Sequence, residues 1–418
     1  MHDFQYRADE LFCENVPIAR IAREVGTPFY LYSHHTLVEH FRVFDSAFKT
    51  LPHITAYAVK ANANLAILRL FAREGSGADI VSGGELYRAL RAGIDPRKIV
   101  FAGVGKSREE IRDALKSDIL FFNVESPQEL ALINEVAGEM KRRASVALRV
   151  NPHIDPKTHP YVATGLKKTK FGISIDQAVE HYRTARTMKH LEVVGVHCHI
   201  GSQLTQIQPF VEALERTLEL AEQIRKTDGQ LRYLDIGGGL GITYEDEEPP
   251  HPRDLAQAVL PLLKEKGYTL ILEPGRVLVG NAGVLITQVL YTKSGEEREF
   301  VIVDAAMNDL IRPALYEAYH EIRPILRQHR PERVVDVVGP ICESGDFLAK
   351  DRPLPECQPG ELLAVMSAGA YGFSMASNYN ARPRVPEILV HEDRYEVIRQ
   401  RESLEDLIRG ERIPDFLK

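Results

Sequence analysis

The sequence predicts a (β/α)8 barrel joined to a second, β-rich domain, and three observations support this. Between residues 53 and 273 short apolar, β-branched runs alternate with amphipathic helical stretches, which specifies a parallel sheet. Eight such runs occur, the number that closes a barrel rather than leaving a doubly wound open sheet. After Glu273 the helical period disappears, and valine-rich runs punctuated by Pro, Gly and charged residues take over.

The barrel strands are expected at 54–60, 78–81, 99–102, 119–124, 145–150, 193–199, 232–236 and 269–273. Helical stretches such as 84–92, 107–116, 126–142, 209–226 and 253–266 lie between them. No helical stretch follows the last strand, so the segment 35–49, which precedes the first, is expected to fill that place. Runs at 284–292, 299–303, 333–338, 361–366, 385–390 and 394–398 read as an antiparallel sandwich or modified barrel. The expected division is a barrel over 28–275 and a β domain formed by 1–27 with 276–418. The acidic, proline-bearing EDEEPPHP at 245–252 reads as a solvated loop without chemistry.

A chain of 418 residues is long enough for two cores. Its formal charge of -7 gives no general attraction to phosphate backbones, so nucleic acid is not an expected partner. Cys13, Cys198, Cys342 and Cys357 lie far apart without a C-x-x-C pair, which argues against a disulfide framework. With neither a secretory start nor a long apolar run, the expectation is a soluble, cytoplasmic protein without membrane contact.

Active sites of such barrels form at the C-terminal ends of the strands, so the polar residues falling there are the candidates. Lys60 ends the first strand after the apolar AYAV, where an amine in a dry pocket acquires a depressed pKa and can form a Schiff base. Taken alone it reads as a solvated lysine. Asp79, Arg149, Asn151, His197, His199, Asp235 and Glu273 fall at the other strand ends. Gly237, Gly238 and Gly239 permit a close backbone approach to an anion, with Ser202 and Gly275 as neighbouring donors. A phosphate beside an aldehyde-binding lysine points to pyridoxal phosphate, and Glu273 would then keep a pyridine nitrogen protonated. His199 can lie flat on such a ring, and His-Cys-His offers no third ligand at metal-like spacing, so no metal is expected. Arg312 and Tyr316, four apart, share one helical face and together suit a carboxylate.

These motifs jointly resemble the fold-type III, alanine-racemase-like pyridoxal-phosphate decarboxylases. The resemblance rests on YAVKAN (57–62), GADIVSGGEL (77–86), HCHIGSQ (197–203), DIGGGLG (235–241), EPGR (273–276), RPALY (312–316), GPICESGDFLA (339–349) and AGAYGFSMASNYN (368–380). It implies a Schiff base to Lys60, His199 stacked on the ring and Glu273 on the pyridine nitrogen. It further implies that Ser202, Gly238, Gly239, Gly275, Arg276 and Tyr371 hold the phosphate or lie beside it, with Asp79 among the cofactor contacts. A homodimer sharing its active site is implied too, the partner bringing Cys342, as proton donor, and Glu343.

The implied reaction is decarboxylation of meso-2,6-diaminopimelate to L-lysine and CO₂, the last step of lysine biosynthesis. Arg276 and Arg312 would take the distal carboxylate, Glu343 the distal ammonium, and Tyr316 and Tyr371 would complete the substrate contacts. The alternatives are a decarboxylase of ornithine, arginine or a carboxylated polyamine on the same fold, and a catalytically inactive regulatory homologue. RPALY favours the dicarboxylic substrate, and Lys60 argues against the inactive homologue.

Overall fold

The computed structural model describes residues 2–154, 170–228 and 231–418. The chain forms two units, one of residues 38–278 and one of residues 1–37 with 279–418.

In the first unit eight parallel strands follow in chain order: His53–Ala58, Gly77–Ile80, Ile99–Phe101, Phe121–Val124, Ala144–Asn151, Leu191–Cys198, Tyr233–Asp235 and Thr269–Leu272. The last pairs with the first, Leu270 opposite His53, which closes the barrel. A further two-residue strand, Ile173–Ser174, extends the fifth. Ala56, Val100, Phe121, Ala147, Val194 and Ile271 pack into one cluster, so a single layer of side chains ties six strands together. Three successive strand-to-helix turns are set by serines: Ser82, Ser107 and Ser126 each accept the N–H of a glutamate three residues on, opening the helices Gly83–Ala92, Arg108–Lys116 and Pro127–Glu139.

Two helices outside those singled out from sequence also appear, Leu65–Arg73 and Ile175–Thr187. The first begins where the Asn64 side chain accepts the Ala66 N–H. The helix expected to stand in for the eighth spans His34–Ala47. Its Asp45 accepts from Thr55 at 2.8 Å and lies 3.2 Å from His53, fastening it to the first barrel strand.

The second unit has a three-stranded sheet, Phe4–Arg7, Glu10–Cys13 and Val16–Pro17, and a nine-stranded one built around Gly283–Ser294. Two expectations need correction. Phe29–Ser33 is a strand of this large sheet, paired with Gly283–Ser294 and Glu387–His391, so the boundary expected at residue 28 falls after Leu37. Nor is the sheet purely antiparallel. Glu299–Val303 runs parallel to Glu332–Val338, as Phe29–Ser33 does to Glu387–His391, because the intervening segments cross over rather than turn back as hairpins. Phe4, Leu11, Ile18, Phe29, Val284 and Ile388 lie in one core, which explains why the N-terminal segment folds with the C-terminal one. Among the described residues no helix is long and apolar enough to cross a membrane.

Candidate active site

Parallel pairing sets Ala58 opposite Asp79. Two residues beyond Ala58, in the 3-10 turn Val59–Ala61, Lys60 Nζ donates to Asp79 Oδ2 at 2.5 Å. This differs from the sequence expectation. Lys60 is not the last residue of the strand, its side chain is 38% exposed, and it is ion-paired rather than isolated in a dry pocket. Burial lifts the Asp79 carboxyl to about 7, with Glu273 adding to the rise and Lys60 opposing it.

Behind this pair lies a buried acid–base group contributed by four strands. Pairing sets His197 beside Asp235 and Asp235 beside Ile271, two residues before Glu273, so the three side chains meet. His197 Nε2 lies 3.5 Å from Glu273 Oε2. Asn123 Nδ2 bridges the two acids, donating to Asp235 Oδ2 at 3.1 Å and to Glu273 Oε1 at 3.3 Å. Burial and the neighbouring Glu273 charge hold Asp235 well above the carboxylate range. Burial would raise Glu273 as well, but the contact with His197 and the Lys60 charge hold it below its ordinary value. Asp235 is thus the protonated acid and Glu273 the ionised one. The fold also supplies what His-Cys-His lacked, since His197, Asp235 and Glu273 each bring a ligand atom to within 4.8 Å of the others. Arg149 faces this group, paired with Glu125 at 3.0 Å.

The three glycines are required by close contact. A Cβ on Gly238 would fall 2.0 Å from the Glu273 carbonyl oxygen, one on Gly239 2.4 Å from that of Gly201, and one on Gly237 2.6 Å from His199 Nδ1. Gly238 N–H donates to His199 Nδ1 at 3.2 Å, which leaves the ring proton on Nε2 and fixes the ring plane. Burial, then Arg149 and Lys60, keep His199 well below the usual imidazole value and therefore neutral. Nearby, Arg276 Nη2 donates to Ser202 Oγ at 3.0 Å and Nη1 to Tyr244 Oη at 2.5 Å. The Tyr244 backbone N–H is in turn held at 2.8 Å by Glu247, so the acidic loop read as chemically idle positions an arginine's partner.

In the second unit Arg312 opens the short helix Arg312–Tyr316, buried, with its guanidinium 5.8 Å from the Tyr316 ring centre. The shared face expected from their spacing is therefore present. Cys342 and Glu343 sit on an exposed loop whose form comes from Asp346, which accepts the Met307 and Ile341 N–H groups at 2.7 Å each. Cys342 N–H donates to Asn380 Oδ1 at 2.9 Å, and Tyr379 donates to Glu343 Oε2 at 2.7 Å. Tyr371 adopts φ 57, the left-handed region that a tyrosine enters only under constraint.

Residues 34–280 match the family described as pyridoxal-dependent decarboxylase, pyridoxal binding domain. The diaminopimelate decarboxylase of Aquifex aeolicus is 51% identical over 405 residues, covering 97% of this chain and 96% of that one. Among solved structures, diaminopimelate decarboxylase from M. jannaschii in co-complex with L-lysine superposes with TM-score 0.95 at 41% identity, covering all of both chains. The enzyme of that name from Helicobacter pylori, complexed with L-lysine, gives TM-score 0.91 at 47% identity over 94% of this chain and 98% of its own. The chain belongs to the diaminopimelate decarboxylase family of pyridoxal-dependent decarboxylases.

Pyridoxal phosphate is the cofactor of this family member, and the barrel residues fit it. Lys60 offers an amine, Glu273 an ionised acceptor, and Ser202, Arg276 and the glycine loop a set of anion donors. Among the described residues, buried Asp79 Oδ1 and both His197 ring nitrogens make no hydrogen bond, which leaves polar capacity in the barrel mouth. Sequence reasoning missed Asn123, Tyr244, Glu247 and the link of Asp235 to Glu273 through Asn123. Only Asn123 carried a signal, as a polar residue inside the apolar run LFFNV.

Gly238→Ala forces a methyl onto the Glu273 carbonyl, and the variant should fail to retain pyridoxal phosphate, read by visible absorbance after dialysis. Asp79 makes a pH prediction. Between the free-carboxylate value and about 7 the folded chain holds a proton that the unfolded chain has released, so this group's contribution to stability is lost as pH rises through that window. Urea denaturation of cofactor-free protein at pH 5 and pH 8 should show a smaller pH difference in Asp79→Asn than in the wild type.

Proposed function

We propose that this chain decarboxylates meso-2,6-diaminopimelate to L-lysine and CO₂, as the lysine-forming enzyme of a cytoplasmic pathway. The observation that carries the reading is the near-complete overlap with relatives of that activity, at about half of all positions. The buried Arg312 beside Tyr316 supports it, since a dicarboxylic substrate calls for such a group.

Bound in the barrel, pyridoxal phosphate supplies an aldehyde carbon open to amines and a ring that accepts the electron pair left when CO₂ departs. Lys60 would hold the cofactor through its amine, with Asp79 beside Nζ to accept or return a proton. Glu273, held ionised over Asp235, would hold the ring nitrogen and keep its proton there. His199, oriented by Gly238, would help hold the ring. Ser202, Gly239, Gly275, Arg276 and Tyr371 would hold the phosphate. Gly238, whose N–H is committed to His199, contributes close approach instead. Because Arg276 is tied to Ser202 and Tyr244, the distal carboxylate falls chiefly to Arg312, with Tyr316 beside it. Cys342 Sγ delivers the proton that replaces CO₂, and Glu343 receives the distal ammonium. In the homodimer these last two come from the opposite subunit.

A substrate without the distal carboxylate forgoes the charged contact with the buried Arg312 guanidinium, at about 2–5 kcal/mol. That corresponds to roughly 30-fold to several thousand-fold discrimination. CO₂ release by the pyridoxal-phosphate-loaded protein is expected from meso-diaminopimelate and not from ornithine, arginine or lysine, and is expected to vanish in Lys60→Ala. Release from ornithine or arginine would overturn the substrate while keeping the chemistry. Arg312→Ala should raise KM for diaminopimelate strongly with cofactor affinity unchanged. Equal loss of both would remove Arg312 from the substrate site.

A further inference from the structure

The guanidinium of Arg312 is held from behind by a histidine. Arg312 Nε donates to His320 Nε2 at 3.3 Å, and His320 Nδ1 lies 2.8 Å from the Met366 carbonyl oxygen. A carbonyl only accepts, so Nδ1 carries the ring proton, Nε2 offers its lone pair to arginine, and the imidazole is neutral. His320 is fully buried, and its own carbonyl accepts Arg352 Nη1 at 2.7 Å. The Arg352 guanidinium in turn lies 3.9 Å from the Tyr319 ring centre, so the residues flanking the imidazole are fixed as well.

A neutral holder differs from a charged one. A carboxylate here would orient Arg312 as firmly but would cancel its charge and compete with an anionic ligand. An imidazole acceptor fixes the plane through Nε and itself brings no charge to oppose the guanidinium's.

We infer that His320 is the positioning residue of the carboxylate site, orienting the Arg312 fork toward the substrate's distal carboxylate without neutralising it. The inference rests on the reading of Arg312 as the carboxylate-binding residue. Its test is a double-mutant cycle on the pyridoxal-phosphate-loaded enzyme, with steady-state kinetics on diaminopimelate for His320→Phe, His320→Gln, Arg312→Ala and the pairs. His320→Phe should raise KM about 10- to 100-fold, with kcat little changed and the cofactor's visible absorbance and affinity as in the wild type. Glutamine, whose amide oxygen can accept from Nε, should restore most of the loss. In the Arg312→Ala background His320→Phe should add nothing.

An additive effect, or loss shared with kcat or cofactor affinity, would overturn the inference while leaving Arg312 in place. So would a normal KM in His320→Phe when Arg312→Ala raises it. If Arg312→Ala itself leaves KM unchanged, the assignment of Arg312 fails and this inference falls with it. Should His320→Phe not fold, His320→Asn replaces it: its amide is too short to reach Arg312, so KM should rise where glutamine's does not.

Discussion

The seventh and eighth barrel strands end in a backbone-to-backbone contact so close that a Cβ on Gly238 would lie 2.0 Å from the Glu273 carbonyl oxygen. From it follow several features that sequence treats as separate. Gly237 O accepts the Glu273 N–H at 2.8 Å, which fixes where that carboxylate leaves the backbone. Gly238 N–H reaches His199 and determines its tautomer. Gly239, at φ 117, turns the chain away past Gly201. The glycines therefore act as spacers that bring the Glu273 and His199 side chains into register.

The second constraint is the concentration of charge in a barrel mouth. Asp79, Asp235 and Glu273 are buried beside Lys60, His197 and His199, and uncompensated charges there would be costly. The group resolves this by unequal sharing of protons: Asp235 keeps one, Glu273 gives one up, and Asp79 titrates near 7. Unequal environments for like groups are what let one carboxyl stay anionic next to another. Asn123 serves this division because one amide donates to both acids.

The β unit positions its polar groups differently. It uses short, tightly hydrogen-bonded turns rather than strand ends. Asp346 shapes the loop carrying Cys342 and Glu343, and Asn380, at φ 54, holds that loop by its amide oxygen. Arg312 takes its orientation from a buried neutral imidazole.

The division between sequence and structure follows from the range of the forces. Alternating apolar runs and helical periods are local, and they were enough to read eight barrel strands, most of the helices between them and the change to a β domain. Lys60, His199, Glu273 and the triple glycine were legible because barrel geometry gathers strand ends at one mouth whatever the register. Pairing over long separations was not legible. That Phe29–Ser33 belongs to a sheet with Gly283–Ser294, that Lys60 meets Asp79, that Asn123 bridges Asp235 and Glu273, and that Tyr244 supports Arg276 all depend on contacts between distant segments. By itself the sequence determined which chemical groups are present and which ends of the strands carry them. Only the tertiary structure decided which of those groups touch, and hence which hold their protons, because burial and proximity are properties of the packed chain rather than of any stretch of it.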